Sequence, residues 1–244
     1  MKSLKAYYDL SVMPATYDFL TWVCNAKTLG ATEVVFDVSK GFQKKKFSAG
    51  IARQMYENVL QPACELWGLP HSEGTNGDST PGYFFSDLIE TFENHGRIAG
   101  PQWPGELNVD YTITIRDSIR NQHRNSNRAA WVRVADEISA RIIDDAYTAP
   151  IDLKYRYCMY ASAKMNFFVT NGPMVLCAYS DAPYIMFAKE PMVQQSWTGS
   201  RGFQFPWANE NQRIAWRDDT YENIIDEFRK TGRVHRDVQK AATL

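Results

Sequence analysis

The sequence predicts an α/β protein in two halves, with mainly parallel sheets and a reduced first half. Three observations carry that expectation. From Asp110 onward, short β-rich runs alternate with runs whose apolar residues recur at helical spacing, the pattern of βαβ units on a parallel sheet covered on both faces. A less regular version of the same alternation runs from Leu4 to His95. Between the two, Gly100-Pro101-Gln102-Trp103-Pro104-Gly105 has the composition of a linker. The predicted units are therefore residues 1–105 and 106–244.

In the first half, Leu4–Leu10 reads as a strand, followed by a turn at Met13-Pro14. Phe19, Leu20, Val23 and Ala26 then recur at helical spacing, with Thr16 as the expected N-cap. Glu33–Val38 is a second strand, and Gly41–Lys46 a basic loop. Ile51, Met55 and Val59 mark a helix that Pro62 is expected to kink or end, because proline removes an N–H and crowds the preceding turn. Residues 70–82 read as a polar loop, and Phe85, Leu88, Ile89 and Phe92 as a short amphipathic helix closed by His95-Gly96.

The second half is more regular. Asp110–Arg116 alternates as a strand does, and Trp131, Val134, Ala135 and Ile138 give a helical stripe after Ser126-Asn127. A short strand at Arg141–Ile143, a helix over 151–164, a strand at Asn166–Thr170 and a helix at Pro173–Tyr179 follow. Pro183–Ala188 and Arg213–Trp216 are the last strands. Tyr221, Ile224, Ile225 and Phe228 line a final helix behind Asp219 or Thr220.

Composition narrows the function classes. A hydrophobic share of 44% in 244 residues supports a sizeable core. A net charge of -1 predicts no general attraction to nucleic acid or anionic membrane. No stretch approaches the roughly 20 apolar residues of a membrane helix, and the N-terminal run lacks the apolar segment of a signal peptide. The expectation is a cytoplasmic protein. Cys24, Cys64, Cys158 and Cys177 lie far apart in apolar surroundings and are expected to be buried, reduced thiols.

Five places can carry chemistry. In Thr170-Asn171-Gly172-Pro173, a strand ends and a helix must start almost at once. Asn171 suits a cap, Gly172 a close backbone approach and Pro173 a first helical turn. Such a turn is an anion site, or a simple tight turn. Arg116 ends a strand, and Arg120, Arg124 and Arg128 follow in a densely polar segment with His123. Guanidinium groups bind phosphate bidentately; the same residues also suit a solvated loop paired with Asp117 or Asp136. Asp9 closes the first strand, where a carboxylate can serve as general base or cap a turn. In the loop from Gly202 to Asn211, Gln204 and Trp207 are candidates for contacts to a base or sugar ring, or for packing. Asp145 is a candidate for a ribose or base edge, and Asp218-Asp219 more naturally cap the last helix.

The chain has no G-x-x-x-x-G-K-[ST], no G-x-G-x-x-G and no G-x-S-x-G, which argues against a P-loop enzyme, an ordinary dinucleotide oxidoreductase and an α/β-hydrolase. It has no D-x-D pair and no His/Cys ligand cluster, so a metal-dependent mechanism has no sequence support.

The run YTITIRDS, AAWVRVADEI and FFVTNGPMVLCAYSDAPYIMF resembles the C-terminal domain of GT-B-fold glycosyltransferases, those related to heptosyltransferases and fucosyltransferases above all. QRIAWRDDTYENIIDEF resembles that family's final strand and helix, and YYDLSVMPATYDFL its first strand, loop and helix. The resemblance spans about two thirds of the chain. It implies two Rossmann-like halves and a nucleotide-sugar whose diphosphate meets Asn171, Gly172 and Pro173, with Arg116 on the same phosphates and Asp9 as catalytic base. It also implies a transferase without a metal or other cofactor, acting on a glycan or small hydroxyl acceptor. A hydroxymethylated DNA base is a second acceptor class, for which Lys44-Lys45-Lys46 and the arginines would serve. A non-catalytic nucleotide- or partner-binding module is the rival reading. Two features depart from the family: its members are usually longer, and Ser11-Val12-Met13-Pro14 stands where many carry a glycine-rich loop.

Overall fold

Two parallel sheets organise the chain. The structure, a computed structural model, describes residues 4–43, 47–103, 105–118, 122–145, 150–188 and 202–241, with backbone alone for residue 145 and residues 232–241. The first sheet has the order β1 (Lys5–Asp9), β2 (Glu33–Asp37) and β3 (His71–Glu73). The second has the order β5 (Arg141–Asp145), β4 (Tyr111–Arg116), β6 (Met165–Val169), β7 (Tyr184–Phe187) and β8 (Gln212–Ala215). Every pairing is parallel. The expected α/β architecture with parallel sheets is the observed one.

Helices join the strands as βαβ units require. They are α1 (Asp18–Thr28), α2 (Ala49–Met55), α3 (Gln61–Leu66), α4 (Phe85–His95), α5 (Arg128–Ile138), α6 (Leu153–Ser162), α7 (Val175–Ala178) and α8 (Tyr221–Ala241). Gly96, at φ 68°, closes α4 in the left-handed conformation that a residue without Cβ adopts at no cost.

Several local expectations are corrected. Pro62 does not end its helix: Tyr56–Leu60 widens into a π-turn joining α2 to α3. A wider turn gives the proline ring and its missing N–H room that an ideal α-helix lacks. The N-cap of α1 is Tyr17; Thr16 lies one residue earlier, its Oγ1 accepting from Asp18 N at 3.2 Å. The segment expected to be a polar loop contains β3, and Tyr7 N donates to Ser79 O at 2.7 Å, so this segment also borders β1 on its other side. Three residues are too few to show a strand period. Thr220, not Asp219, caps α8, accepting from Asn223 N at 3.2 Å.

The core explains the arrangement. Along β6 and β7, successive residues face opposite sides, and both sides are buried. Phe167, Val169, Ile185 and Phe187 pack with Trp131 and Val134 of α5 and Ile224 and Ile225 of α8. Phe168, Tyr184 and Met186 turn the other way, toward α6 and α7. That second core continues without a break into α1, α3 and the first sheet, through Phe19, Trp22, Leu66 and Phe36. The two predicted halves thus each hold one sheet and share one hydrophobic core. Cys24, Cys64 and Cys177 lie within it, burial pushing their thiols up, whereas Cys158 is only half-buried. No helix among the described residues is long and apolar enough to cross a membrane.

Candidate active site at the strand ends

The strand order locates the site. From β4 the chain crosses to β5 on one side and then returns to β6 on the other. In open parallel sheets a crevice opens outside the carboxyl ends of the strands where the order reverses, and ligands bind there. Here that point lies between the ends of β4 and β6, at Arg116 and Thr170. A buried polar seam levels the two strands: Thr112 Oγ1 donates to Asn166 Oδ1 at 2.5 Å, and Asn166 Nδ2 donates to Tyr160 O and Pro183 O. Thr112 pairs with Asn166 and Thr114 with Phe168, which carries Arg116 level with Thr170.

Arg116 is the last residue of β4 and is 6% exposed. Its Nη1 donates to Asn125 Oδ1 at 2.6 Å, and its backbone N to Ser126 Oγ at 2.9 Å. Asn125 also binds Ser118 N and Ser118 O, each at 3.0 Å, so one amide folds the polar loop back over the strand end. Arg124, in the 3-10 turn Gln122–Arg124, extends Nη2 to within 3.5 Å of Thr170 O. The loop after β4 therefore spans the switch point to β6. His123 is exposed. Arg120 lies outside the described residues, as do Lys44, Lys45 and Lys46. Asp145 is the register partner of Arg116, and its side chain is not among those described.

Asn171 caps the turn as its residue type suggests, Oδ1 accepting from Met174 N at 2.9 Å. Its Nδ2 is buried and has no acceptor among the described residues. An orphaned buried donor costs about 1–3 kcal/mol, so this group calls for an acceptor from a ligand or water. The helix that follows is shorter than expected, four residues of α7 instead of Pro173–Tyr179. One turn of peptides sums to little dipole, so the polar groups that this edge presents are the Asn171 amide and the arginines. Gly172 serves packing. A Cβ there would sit 2.5 Å from Tyr17 Cβ, on the loop after β1. At this turn, with Pro173 behind it, the carboxyl edges of the two sheets meet.

The first sheet contributes a paired motif. Asp9 and Asp37 end β1 and β2 in register, and each is followed two residues later by serine. Asp9 Oδ1 accepts from Ser11 N at 2.8 Å and Ser11 Oγ at 2.6 Å. Asp37 Oδ1 accepts from Ser39 N at 2.9 Å and Ser39 Oγ at 2.6 Å, and its Oδ2 accepts from Tyr7 Oη at 2.5 Å. The Ser39 hydroxyl, then Tyr7 and the Ser39 N–H, hold the Asp37 carboxyl down at about 2. The bond to Asp37 pushes the Tyr7 phenol up to about 12. The two carboxylates differ in what they leave open. Asp37 has both oxygens engaged and is buried, whereas Asp9 is half-buried and its Oδ2 makes no hydrogen bond among the described residues. Sequence reading missed Asp37, although the repeated D-x-S after a β-rich run was the signal.

Gln204 and Trp207 lie elsewhere. Gln204 Nε2 donates to Ile214 O at 2.9 Å and its Oε1 accepts from Ile214 N at 2.7 Å, so its amide pairs with the backbone of β8. Trp207 stacks on Phe205 with ring centres 5.3 Å apart and donates Nε1 to Ala178 O at 2.8 Å. The alternation of Phe203, Gln204, Phe205 and Trp207 is that of an extended segment burying one side, as Phe205 at 3% exposure shows.

No family model matches the chain, and no curated protein matches it. Among solved structures, it is similar to the bacterial iron-containing dodecameric glycosyltransferase TibC from enterotoxigenic E. coli H10407, at a TM-score of 0.47 and 11% identity. The likeness covers 88% of this chain, which spans 65% of the length of that one.

Proposed function

We propose that the chain is a glycosyltransferase that moves a sugar from a nucleotide-sugar to a hydroxyl acceptor without a metal ion. The observation that carries the reading is the convergence at the switch point: Arg116, Arg124 reaching Thr170, and the acceptorless buried amide of Asn171. Fixed cationic and N–H donors in one crevice suit a diphosphate, and they act most strongly on the charge that grows as it leaves. The acceptor oxygen attacks the anomeric carbon, the bond from that carbon to the diphosphate oxygen breaks, and the departing diphosphate keeps the electron pair. Asp9, whose Oδ2 is open, takes the acceptor proton. Asp37 keeps its charge and holds the neighbouring strand end in place. Asn171–Pro173 positions the diphosphate, and Asp145 is assigned the ribose or base.

The test is thermal stabilisation by nucleoside diphosphates and nucleotide-sugars in buffer containing EDTA. At about 100 times the dissociation constant, binding adds roughly 2.7 kcal/mol, worth about 5–10 °C for a chain of this size. A selective response is expected, lost in Arg124→Ala and retained in Asp9→Asn, which in turn transfers no sugar. Absence of any response in the unaltered protein would remove the donor site and with it this function. Binding with no transfer to any acceptor would leave a nucleotide-binding module.

A further inference from the structure

The molecule has a second cleft, at the opposite edges of the sheets. Ser180, Asp181 and Ala182 lead into the amino end of β7, and Ala161 closes the helix that feeds β6. Arg97, Ile98 and Trp103 come from the segment joining the halves. Ala99 N in that segment is held by Thr28 Oγ1 at the end of α1, at 2.9 Å. The cleft measures about 600 Å³, within the roughly 300–1,000 Å³ of small-molecule sites. Its position excludes it from the crevice of Arg116 and Asn171.

Its lining has a defined chemistry. Phe92, Trp103 and Trp207 supply aromatic surface, and the buried Tyr157 and Tyr179 lie behind it. Trp103 is 57% exposed at the rim, unusual for a residue type that is highly buried on average. Trp207 is fixed by its bond to Ala178 O. The joining segment is pressed tightly onto the loop before β7: a Cβ on Gly100 would sit 2.6 Å from Tyr179 O. The cleft is thus built by packing and stands ready-formed. Two charged groups, Arg97 and Asp181, complete it. Both are exposed, and neither has a hydrogen-bond or ion-pair partner among the described residues.

We propose that this cleft is a carbohydrate site, taking one or two sugar rings and separate from the transfer centre. A sugar ring offers a C–H-rich face that lies on an aromatic ring, and hydroxyls that both donate and accept. A guanidinium and a carboxylate facing one space match those hydroxyls, one as donor and the other as acceptor. The same pair disfavours a phosphate, which the carboxylate repels, and a cation, which the guanidinium repels. Because Arg97 belongs to the first half and Asp181 to the second, a bound sugar contacts both.

The experiment is saturation-transfer NMR and tryptophan fluorescence on the full chain. The probes are methyl glycosides of glucose, galactose, mannose and N-acetylglucosamine, with maltose, lactose and cellobiose. At least one is expected to bind saturably. Trp103→Ala, a change at an exposed position, should weaken it about tenfold, the scale of one lost aromatic face. Arg97→Ala should weaken it also, and excess nucleoside diphosphate should not compete. Arg124→Ala, which removes the nucleotide response, should leave sugar binding intact, so the two sites fail independently. The proposal is overturned if no sugar binds, if both cleft variants bind as the unaltered protein does, or if a nucleoside diphosphate displaces the sugar.

Discussion

Asp219 offers a sharp test of how the arginine loop is held. It is 2% exposed, and its Oδ2 accepts two hydrogen bonds of 2.7 Å, from Asn127 N and from Trp131 Nε1. Asn127 opens α5 immediately after the loop that carries Arg124 and Asn125, so this one oxygen anchors the loop to the far end of the sheet. Replacing Asp219 with Ala leaves the buried Trp131 Nε1 and the more accessible Asn127 N–H without that acceptor. At about 1–3 kcal/mol for the buried donor and about 0.5–1 kcal/mol for the other bond, the loss should be roughly 1.5–4 kcal/mol. For a chain of this length that corresponds to a melting temperature about 3–15 °C lower. Asn is different, because its single carbonyl oxygen can occupy the place of Oδ2 and accept both bonds. Asp219→Asn forfeits only the charge assistance and should cost less than half as much. Urea denaturation of the three proteins, followed by tryptophan fluorescence and by circular dichroism, measures both differences. If Asp219→Ala lies within about 1 kcal/mol of the unaltered protein, or if the Asn variant is as unstable as the Ala variant, the anchoring role is refuted.

Two further outcomes are expected. Gly172→Ala places a Cβ 2.5 Å from Tyr17 Cβ, overpacking that typically costs about 1–3 kcal/mol. Its denaturation midpoint should fall, and nucleotide stabilisation should weaken as the two edges part; an unchanged midpoint would show that the halves do not meet there. The third outcome concerns pH. Asp37 has its carboxyl lowered from 3.8 to about 2, so its contribution is complete above about pH 4 and is lost as pH falls toward 2. Tyr7 is raised from 10.0 to about 12, so its contribution is complete below pH 10 and is lost as pH rises through 12. Ser39→Ala, which removes the largest influence on Asp37, should move the acid limb of a stability profile to higher pH. Tyr7→Phe should move it less and should flatten the limb above pH 10. Identical acid limbs in all three proteins would contradict the assignment.

The parallel sheets were legible because burial on both faces writes itself into long apolar runs such as Asn166–Thr170 and Pro183–Ala188. The strand-end residues followed directly, since Arg116 and Asn171 are simply where those runs stop. What escaped was whatever depends on partners distant in sequence. β3 is three residues that pair only because β2 lies beside them. Asp219 looked like a local cap, but its acceptor serves residues 88 and 92 positions away. Asp37 was overlooked because its neighbour Asp9 becomes adjacent only through the β1–β2 register. The loop around Trp207 leaves ring contacts and packing both open in the sequence, because alternation of polar and aromatic residues is the same whether the aromatic side faces a ligand or a core.

One continuous core lies beneath both the switch point and the opposite cleft, and a single helix holds a residue beside each. Tyr179 borders the cleft, and its hydroxyl is hydrogen-bonded to Thr21 of α1 at 2.8 Å. Seven and eight residues earlier lie Gly172 and Asn171, and Gly172 presses on Tyr17 at the start of α1. α1 therefore meets the stretch from Asn171 to Ala182 at two points one helical turn apart, Tyr17 and Thr21, so the residue that borders the cleft and the turn beside the switch point are held by the same end of one helix.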